Sequence, residues 1–179
     1  IAHSYERIMQ RSAYGNSEAI TDGKGKNTLA PVDSYYDFNS ISSGEDDLGY
    51  ILCKMLAFKK NKVSDDCLQG LLCIDEVEAS LHPSAQRQFL DFLLEWSQDN
   101  HIQVVVTSHS LYLLDYFMKL QQKKKDYDGL VIDNISTMQV GADRNFNFMV
   151  NPSFKVIRKE LTYMDEIDSL YKVNIICED

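Results

Sequence analysis

The sequence predicts an α/β fold, a mostly parallel sheet flanked by helices, from three observations. Leu71, Leu72, Cys73 and Ile74 form an apolar run that closes on two adjacent carboxylates, Asp75 and Glu76. Ile102 to Val106 is a second apolar run, rich in β-branched residues, and it ends in Thr107-Ser108-His109-Ser110. Between them, Pro83 opens a stretch to about Gln98 in which Phe89, Phe92, Leu93 and Trp96 recur at helical spacing. Strand, helix and strand joined by short connections make a right-handed βαβ unit. Its strands are parallel, so Asp75, Glu76 and His109 leave the sheet at the same edge, the carboxyl edge where open α/β sheets bind ligands.

Each element has a local reason. Four consecutive apolar residues at 71–74 predict a strand covered on both faces. The aromatic stripe at 89–96 is helix core. Upstream, Ile41-Ser42-Ser43-Gly44-Glu45 introduces a helix whose apolar positions Leu48, Ile51, Leu52, Met55 and Leu56 share one face, ending at Lys59 and Lys60. Two overlapping capping boxes are available at its start, Ser42 with Glu45 and Ser43 with Asp46. The same hydroxyls, glycine amide and helix N-terminus also suit a phosphate. Capping explains them without a ligand, and Glu45, Asp46 and Asp47 crowd that turn with negative charge.

Residues 1–40 are less patterned. Ile1 to Arg11 suits a short helix or strand, and Asn16 to Pro31, with Gly23 and Gly25, reads as polar loop. Asp22 to Thr28 is superficially like a phosphate loop but lacks the G-x-x-x-x-G-K-S/T spacing and a preceding apolar strand, so it reads as a turn. Downstream, His109 to Leu120 suits a helix, Gly129 to Val140 a strand, Asn145 to Val150 its short partner and Phe154 to Leu170 a charged amphipathic helix. Val173 to Cys177 is strand-like and stops at Glu178-Asp179. With no initiating Met and a buried-type strand at its last residues, the sequence reads as a segment of a longer protein.

Composition bounds the function. The 179 residues, 44% hydrophobic and 25% charged, are enough for one domain with a core. No run approaches the ~18 apolar residues of a membrane span. No basic-then-apolar leader is present. Cys53, Cys67, Cys73 and Cys177 show no ligand spacing, and three of them lie in apolar surroundings that suit buried free thiols; a reducing, cytoplasmic setting is expected. A net charge of −9 argues against a chain-wide nucleic-acid footprint, leaving room only for a local basic groove. The one dense basic run, Lys123 to Lys125, reads as a solvated helix end.

Three elements in this order, Ser42-Ser43-Gly44-Glu45 heading a helix, LLCIDEVEASLHP, and VVVTSHS, resemble the C-terminal lobe of ABC-type P-loop ATPases. The resemblance is specifically to the overcoming-lysogenisation-defect (OLD) group and to phage-defence ATPases associated with retrons or Septu systems, and it covers roughly residues 38 to 120. It implies ATP and Mg²⁺ as cofactors. It implies that Ser42, Ser43, Gly44 and Glu45 match the nucleotide-binding signature loop, with Ser42 and the Gly44 amide meeting the γ-phosphate held by a partner subunit. Asp75 would act on Mg²⁺ through water, and Glu76 would orient and deprotonate the attacking water. Ala79, Ser80 and Leu81 would cross the dimer seam, and His109 would donate to the γ-phosphate. Phosphoryl transfer needs in-line water, a metal and donors where charge develops, and these residue types meet those demands.

The sequence departs from the pattern in two ways. No Walker A loop is present, so the segment is expected to bind ATP poorly alone and to supply half of a composite site. Ser43 and Glu45 replace the signature's more usual glycine and glutamine. Beyond residue 170, the strand ending in Glu178 resembles the first strand of a Toprim nuclease, where a glutamate binds the catalytic metal. The organisation expected is the tail of an inserted helical region over 1–40, the ATPase lobe over 41–170, and a last strand or Toprim start over 171–179. The leading expectation is an ATP-hydrolysing module, at least dimeric, controlling a nuclease-type effector in anti-phage defence, with DNA or RNA and an effector subunit as further partners. The alternative is an ATP-gated DNA-binding clamp or scaffold that cuts nothing. The plainest reading is an α/β interaction domain whose acids are surface turns.

Overall fold

The computed structural model describes residues 2–12, 16–21, 25–32, 37, 39–59, 67–123, 136–140 and 146–162. The chain divides into two compact units, residues 1–113 and 114–179.

The first unit is built on the expected βαβ element. β3 (Gly70–Ile74) and β4 (Ile102–Val106) are parallel and joined by α3 (Pro83–Asn100). Their register pairs Leu72 with Val104 and Ile74 with Val106, so Asp75 and Thr107 leave the sheet side by side. Pro83 sits in the first turn of α3, where a missing N–H costs nothing, and His82 caps that turn by accepting the Ser84 amide through Nδ1 at 3.3 Å. The helix ends at His101, whose left-handed φ of 53° reverses the chain into β4. Phe89, Leu93 and Trp96 are buried, each worth ~1.5–3 kcal/mol of transfer free energy.

The strand faces differ from expectation. Leu72 and Ile74 turn inward, while Leu71 is 53% exposed, Val105 is 47% exposed and Cys73 is exposed. Each residue of an apolar run faces the opposite side from its neighbour, and among the described residues of this unit the packing lies on the side of Leu72 and Ile74. The expected buried thiols are corrected too: Cys73 is exposed on the outer face of β3, Cys67 is exposed ahead of that strand and Cys53 is half-buried on α2, while Cys177 lies outside the described residues.

α2 (Ser43–Lys59) begins where the capping pattern places it. Phe58 near its end meets Trp96 of α3 edge to face, with ring centroids 5.8 Å apart. Residues 1–40 are more ordered than their composition suggests. α1 (Ala2–Met9) buries Tyr5 and Ile8 completely, and Arg7 forms a paired hydrogen bond to Glu95 of α3 at 2.6 and 2.7 Å. The polar stretch after it is an antiparallel hairpin, β1 (Ser17–Thr21) and β2 (Asn27–Pro31), in register from Ser17 with Pro31 to Thr21 with Asn27. β2 packs on α2 at Gly49, where a Cβ would lie 2.6 Å from Thr28 Oγ1 and 2.9 Å from Leu29 backbone atoms. Short strands without a period-2 pattern hide well in a polar segment with two glycines, and burial of Leu29 and Ala30 supplies what local propensity lacks.

α4 (Leu111–Lys123) starts two residues later than expected, which leaves His109 in the loop rather than on the helix. The second unit contains the rest of α4, an antiparallel pair β5 (Ser136–Val140) and β6 (Phe146–Val150), and α5 (Phe154–Thr162), which buries Ile157. Among the described residues only β3 and β4 pair in parallel. The expected strand part at 129–135, the helix part at 163–170, and the final strand with Glu178 lie outside the described residues.

Candidate functional site

The acid-bearing edge is organised by Thr107. Its amide donates to the Ile74 carbonyl at 3.0 Å, continuing the strand pairing, and its carbonyl accepts the Val77 amide at 3.0 Å. Its hydroxyl accepts the Glu76 amide at 2.8 Å and donates to Asp75 Oδ1 at 2.5 Å. One side chain therefore orients the first carboxylate and the backbone of the second. Glu76 adopts a left-handed φ of 47°, a conformation that L residues adopt rarely and that these amide bonds hold in place.

That turn aims Glu76 toward the second strand end. Glu76 Oε1 stands 3.9 Å from His109 Nε2, too far for a hydrogen bond but close enough for attraction whenever the imidazole is protonated. Both side chains are open to solvent, at 60% and 72% exposure, so an incoming ligand can reach both. The structure thus brings Asp75, Glu76 and His109 onto one edge.

The loop after the acids folds back on itself. The Ala79 amide bonds the Glu76 carbonyl at 2.8 Å, the Leu81 amide bonds the Glu78 carbonyl at 3.0 Å, and Ser80 is left-handed at φ 59°. Its outer face meets the start of α2: a Cβ on Gly44 would lie 2.1 Å from the Ser80 carbonyl oxygen. Only glycine lets the two backbones approach this closely.

At that helix start the capping box is complete. Ser42 Oγ accepts the Glu45 amide at 3.3 Å, and Glu45 Oε2 accepts the Ser42 amide at 2.7 Å. Glu45 is 2% exposed, and its other oxygen pairs with Arg11 at 3.3 Å. The alternative box does not close, because Asp46 instead takes Lys26 at 2.6 Å. The Glu45 carboxylate is therefore committed to the helix end, and Ser42 and Ser43 are the exposed groups of the motif. Glu178 lies outside the described residues.

Two residues that the sequence reading did not single out belong to the edge. Thr107 was legible from register: equal steps beyond paired strand ends put it next to Asp75. Glu78 accepts the His109 amide through Oε1, while its Oε2 is buried without a hydrogen-bond partner. Its signal is only that it is one more carboxylate in an acidic loop.

The donors fit Mg²⁺ with ATP in kind. Carboxylate oxygens are hard ligands, and Mg²⁺ usually takes one or two of them together with water and phosphate oxygens. Among the described residues no group of three or more His, Cys, Asp and Glu could hold a metal by itself. A cleft of about 370 Å³ opens elsewhere, among α1, α2 and α3, lined by residues that include Arg7, Leu52, Met55 and Trp96. No residue of the acid-bearing edge lines it.

Comparison with known proteins decides the family. The profile of the AAA ATPase domain matches residues 4–114, more than half of the chain and all of the edge just described. The chain belongs to the AAA ATPase domain family. No curated protein matches it. Among solved structures, this AAA ATPase chain is similar to one from work on the structural biochemistry of ATP-driven dimerization and DNA stimulated activation of SMC ATPases. The TM-score is 0.50 at 15% identity, with 96% of each chain covered. Family and fold together support a P-loop ATPase. No described helix is long and apolar enough to cross a membrane.

Proposed function

We propose that the chain is one half of a composite ATP-hydrolysing site, completed by a Walker A loop and by a second copy of the protein. The observation that carries this is the convergence of Asp75, Glu76 and His109, with Glu76 Oε1 3.9 Å from His109 Nε2 at an open edge. ATP with Mg²⁺ supplies the scissile phosphoanhydride and the Lewis acid. Asp75, whose carboxylate is held by the Thr107 hydroxyl, would hold the Mg²⁺ through water. Glu76 holds the attacking water and takes its proton. His109 donates a hydrogen bond where charge develops on the γ-phosphate. Ser42, Ser43 and the helix start at Gly44 face the nucleotide of the other copy, with Glu45 acting from inside as their brace.

Within this reading the ATPase belongs to the OLD-like, phage-defence group, dimerises on ATP and controls a nuclease-type effector in the cytoplasm. Glu178 is the metal ligand if a Toprim domain follows. A second reading, a DNA-binding clamp that cuts nothing, draws on the likeness to a chain studied for DNA stimulated activation of SMC ATPases.

The test is Glu76→Gln in the full-length protein. Turnover of ATP should vanish while nucleotide binding persists; hydrolysis at the parental rate removes the assignment. Adding duplex DNA to the parent and assaying both ATP turnover and strand cleavage separates the two outputs: cleavage favours the nuclease, stimulation without cleavage the clamp.

A further inference from the structure

We infer that Glu78 is a positioning residue, which holds His109 in place through its backbone and ties the loop after β3 to the loop after β4. This deepens the ATPase reading and rests on it. Glu78 stands three residues after Asp75, on the far side of the left-handed turn at Glu76, and its carboxylate Oε1 accepts the His109 amide. His109 itself is 72% exposed and belongs to no helix or strand, so packing does not fix it. The amide bond is what sets where its Cα stands, and hence how its ring faces Glu76.

A second clip supports the same junction. Gln86, in the first turns of α3, donates through Nε2 to the Leu81 carbonyl at 2.9 Å and accepts through Oε1 from the Ser110 hydroxyl at 2.8 Å. Ser110 in turn caps α4 by accepting the Leu113 amide at 3.2 Å. The two ends of the 78–81 turn are therefore tied to consecutive residues, Glu78 directly to His109 and Leu81 through Gln86 to Ser110. That turn is also the one whose Ser80 carbonyl abuts Gly44. A displacement at the start of α2 has a route to His109 through one close backbone contact, Gly44 on Ser80, then along the turn to the Glu78 carboxylate and its hydrogen bond from the His109 amide.

The buried, unpartnered Oε2 of Glu78 argues that this is more than a loop staple. A carboxylate oxygen kept from water without a donor costs free energy, and a neutral Asn or Ser could hold one amide without that cost. The charged acceptor gives the stronger tie.

The test uses the full-length protein, with Glu76→Gln run alongside. Glu78→Ala should lower kcat by about tenfold, the scale on which small misplacements act, and leave KM within about threefold. Glu78→Gln, which keeps an oxygen for the amide, should recover most of the loss. In a His109→Ala background, Glu78→Ala should add nothing further, because the residue acts through His109. Hydrogen exchange without nucleotide should show the His109 amide exchanging faster in Glu78→Ala. Parental kcat in Glu78→Ala, an equal loss in both backgrounds, or unchanged amide exchange would each overturn the inference. If Glu78→Ala does not fold, Glu78→Asp, whose oxygen is drawn back by one methylene, replaces it in the same cycle. Loss of the ATPase reading shows separately, as full turnover in Glu76→Gln, and leaves the exchange measurement standing as a test of the tie.

Discussion

Gly44 and the Ser80 carbonyl stand so close that a Cβ on residue 44 would lie 2.1 Å from the oxygen. The helix that carries the serine motif is thus seated on the loop that follows the two acids. No side chain mediates the contact, so no side chain can yield if the space is filled.

Gly44→Ala should therefore force the 78–81 turn or the start of α2 to move. The expected loss is on the order of 1–3 kcal/mol, the usual cost of overpacking against groups that cannot rearrange cheaply. Urea unfolding of the full-length protein measures it. Parental stability would mean that the two backbones do not meet in solution.

Thr107 makes a sharper prediction because its hydroxyl serves both acids. Thr107→Val keeps the shape and removes the acceptor for the Glu76 amide and the donor to Asp75. Stability should fall by only ~1 kcal/mol, since the site is exposed and water replaces part of the loss. Turnover should fall by about tenfold or more, because both carboxylates lose their aim. Thr107→Ser should keep most of the activity. Equal turnover in the valine and serine variants would show that the hydroxyl does not orient the site.

The edge was legible in the sequence because parallel pairing is arithmetic. Two apolar runs joined by a helix must end on one side, so Asp75, Glu76 and His109 met as their spacing demands. The turn that aims Glu76 was not legible: a left-handed glutamate leaves no mark in the sequence and is held by Thr107, just past the end of another strand. The β1–β2 hairpin was missed for a related reason. Its strands are short and polar outside, and what stabilises them is Gly49 letting β2 lie on α2, a contact between segments far apart in sequence. The exposure of Leu71 and Val105 was not legible either, since an apolar run states a tendency to be buried but not what covers each face.

Glu45 separates a structural from a ligand role in the serine motif. Glu45→Ala opens the capping box and frees Arg11, which is itself largely exposed and loses little. Stability should drop by ~1–2 kcal/mol, as for loss of a helix cap. Nucleotide affinity, measured on protein kept below its unfolding temperature, should stay within about threefold of the parent. A large loss of affinity in a stably folded variant would mean that the carboxylate reaches the nucleotide itself.

The pair that anchors α1 to α3 gives a dependence on pH. The hydrogen bonds from Arg7 hold the Glu95 carboxyl below the usual glutamate range, and the same contact raises Arg7, which stays charged throughout. A carboxyl lowered in the folded state binds protons less readily there than in the unfolded chain. Its contribution is therefore present above the unfolded glutamate pKa and is lost as pH falls through the lower, folded value. Both side chains are largely exposed, at 40% and 58%, so the pair is worth no more than ~1 kcal/mol despite its paired geometry. Glu95→Gln should be less stable than the parent at neutral pH by that amount, and the gap should shrink in molar salt. It should close as acid protonates Glu95 in the parent. Urea unfolding of parent and variant across pH 7 to 3 follows the gap, and a difference that persists at the acid end would mean that the gap does not come from the Glu95 charge.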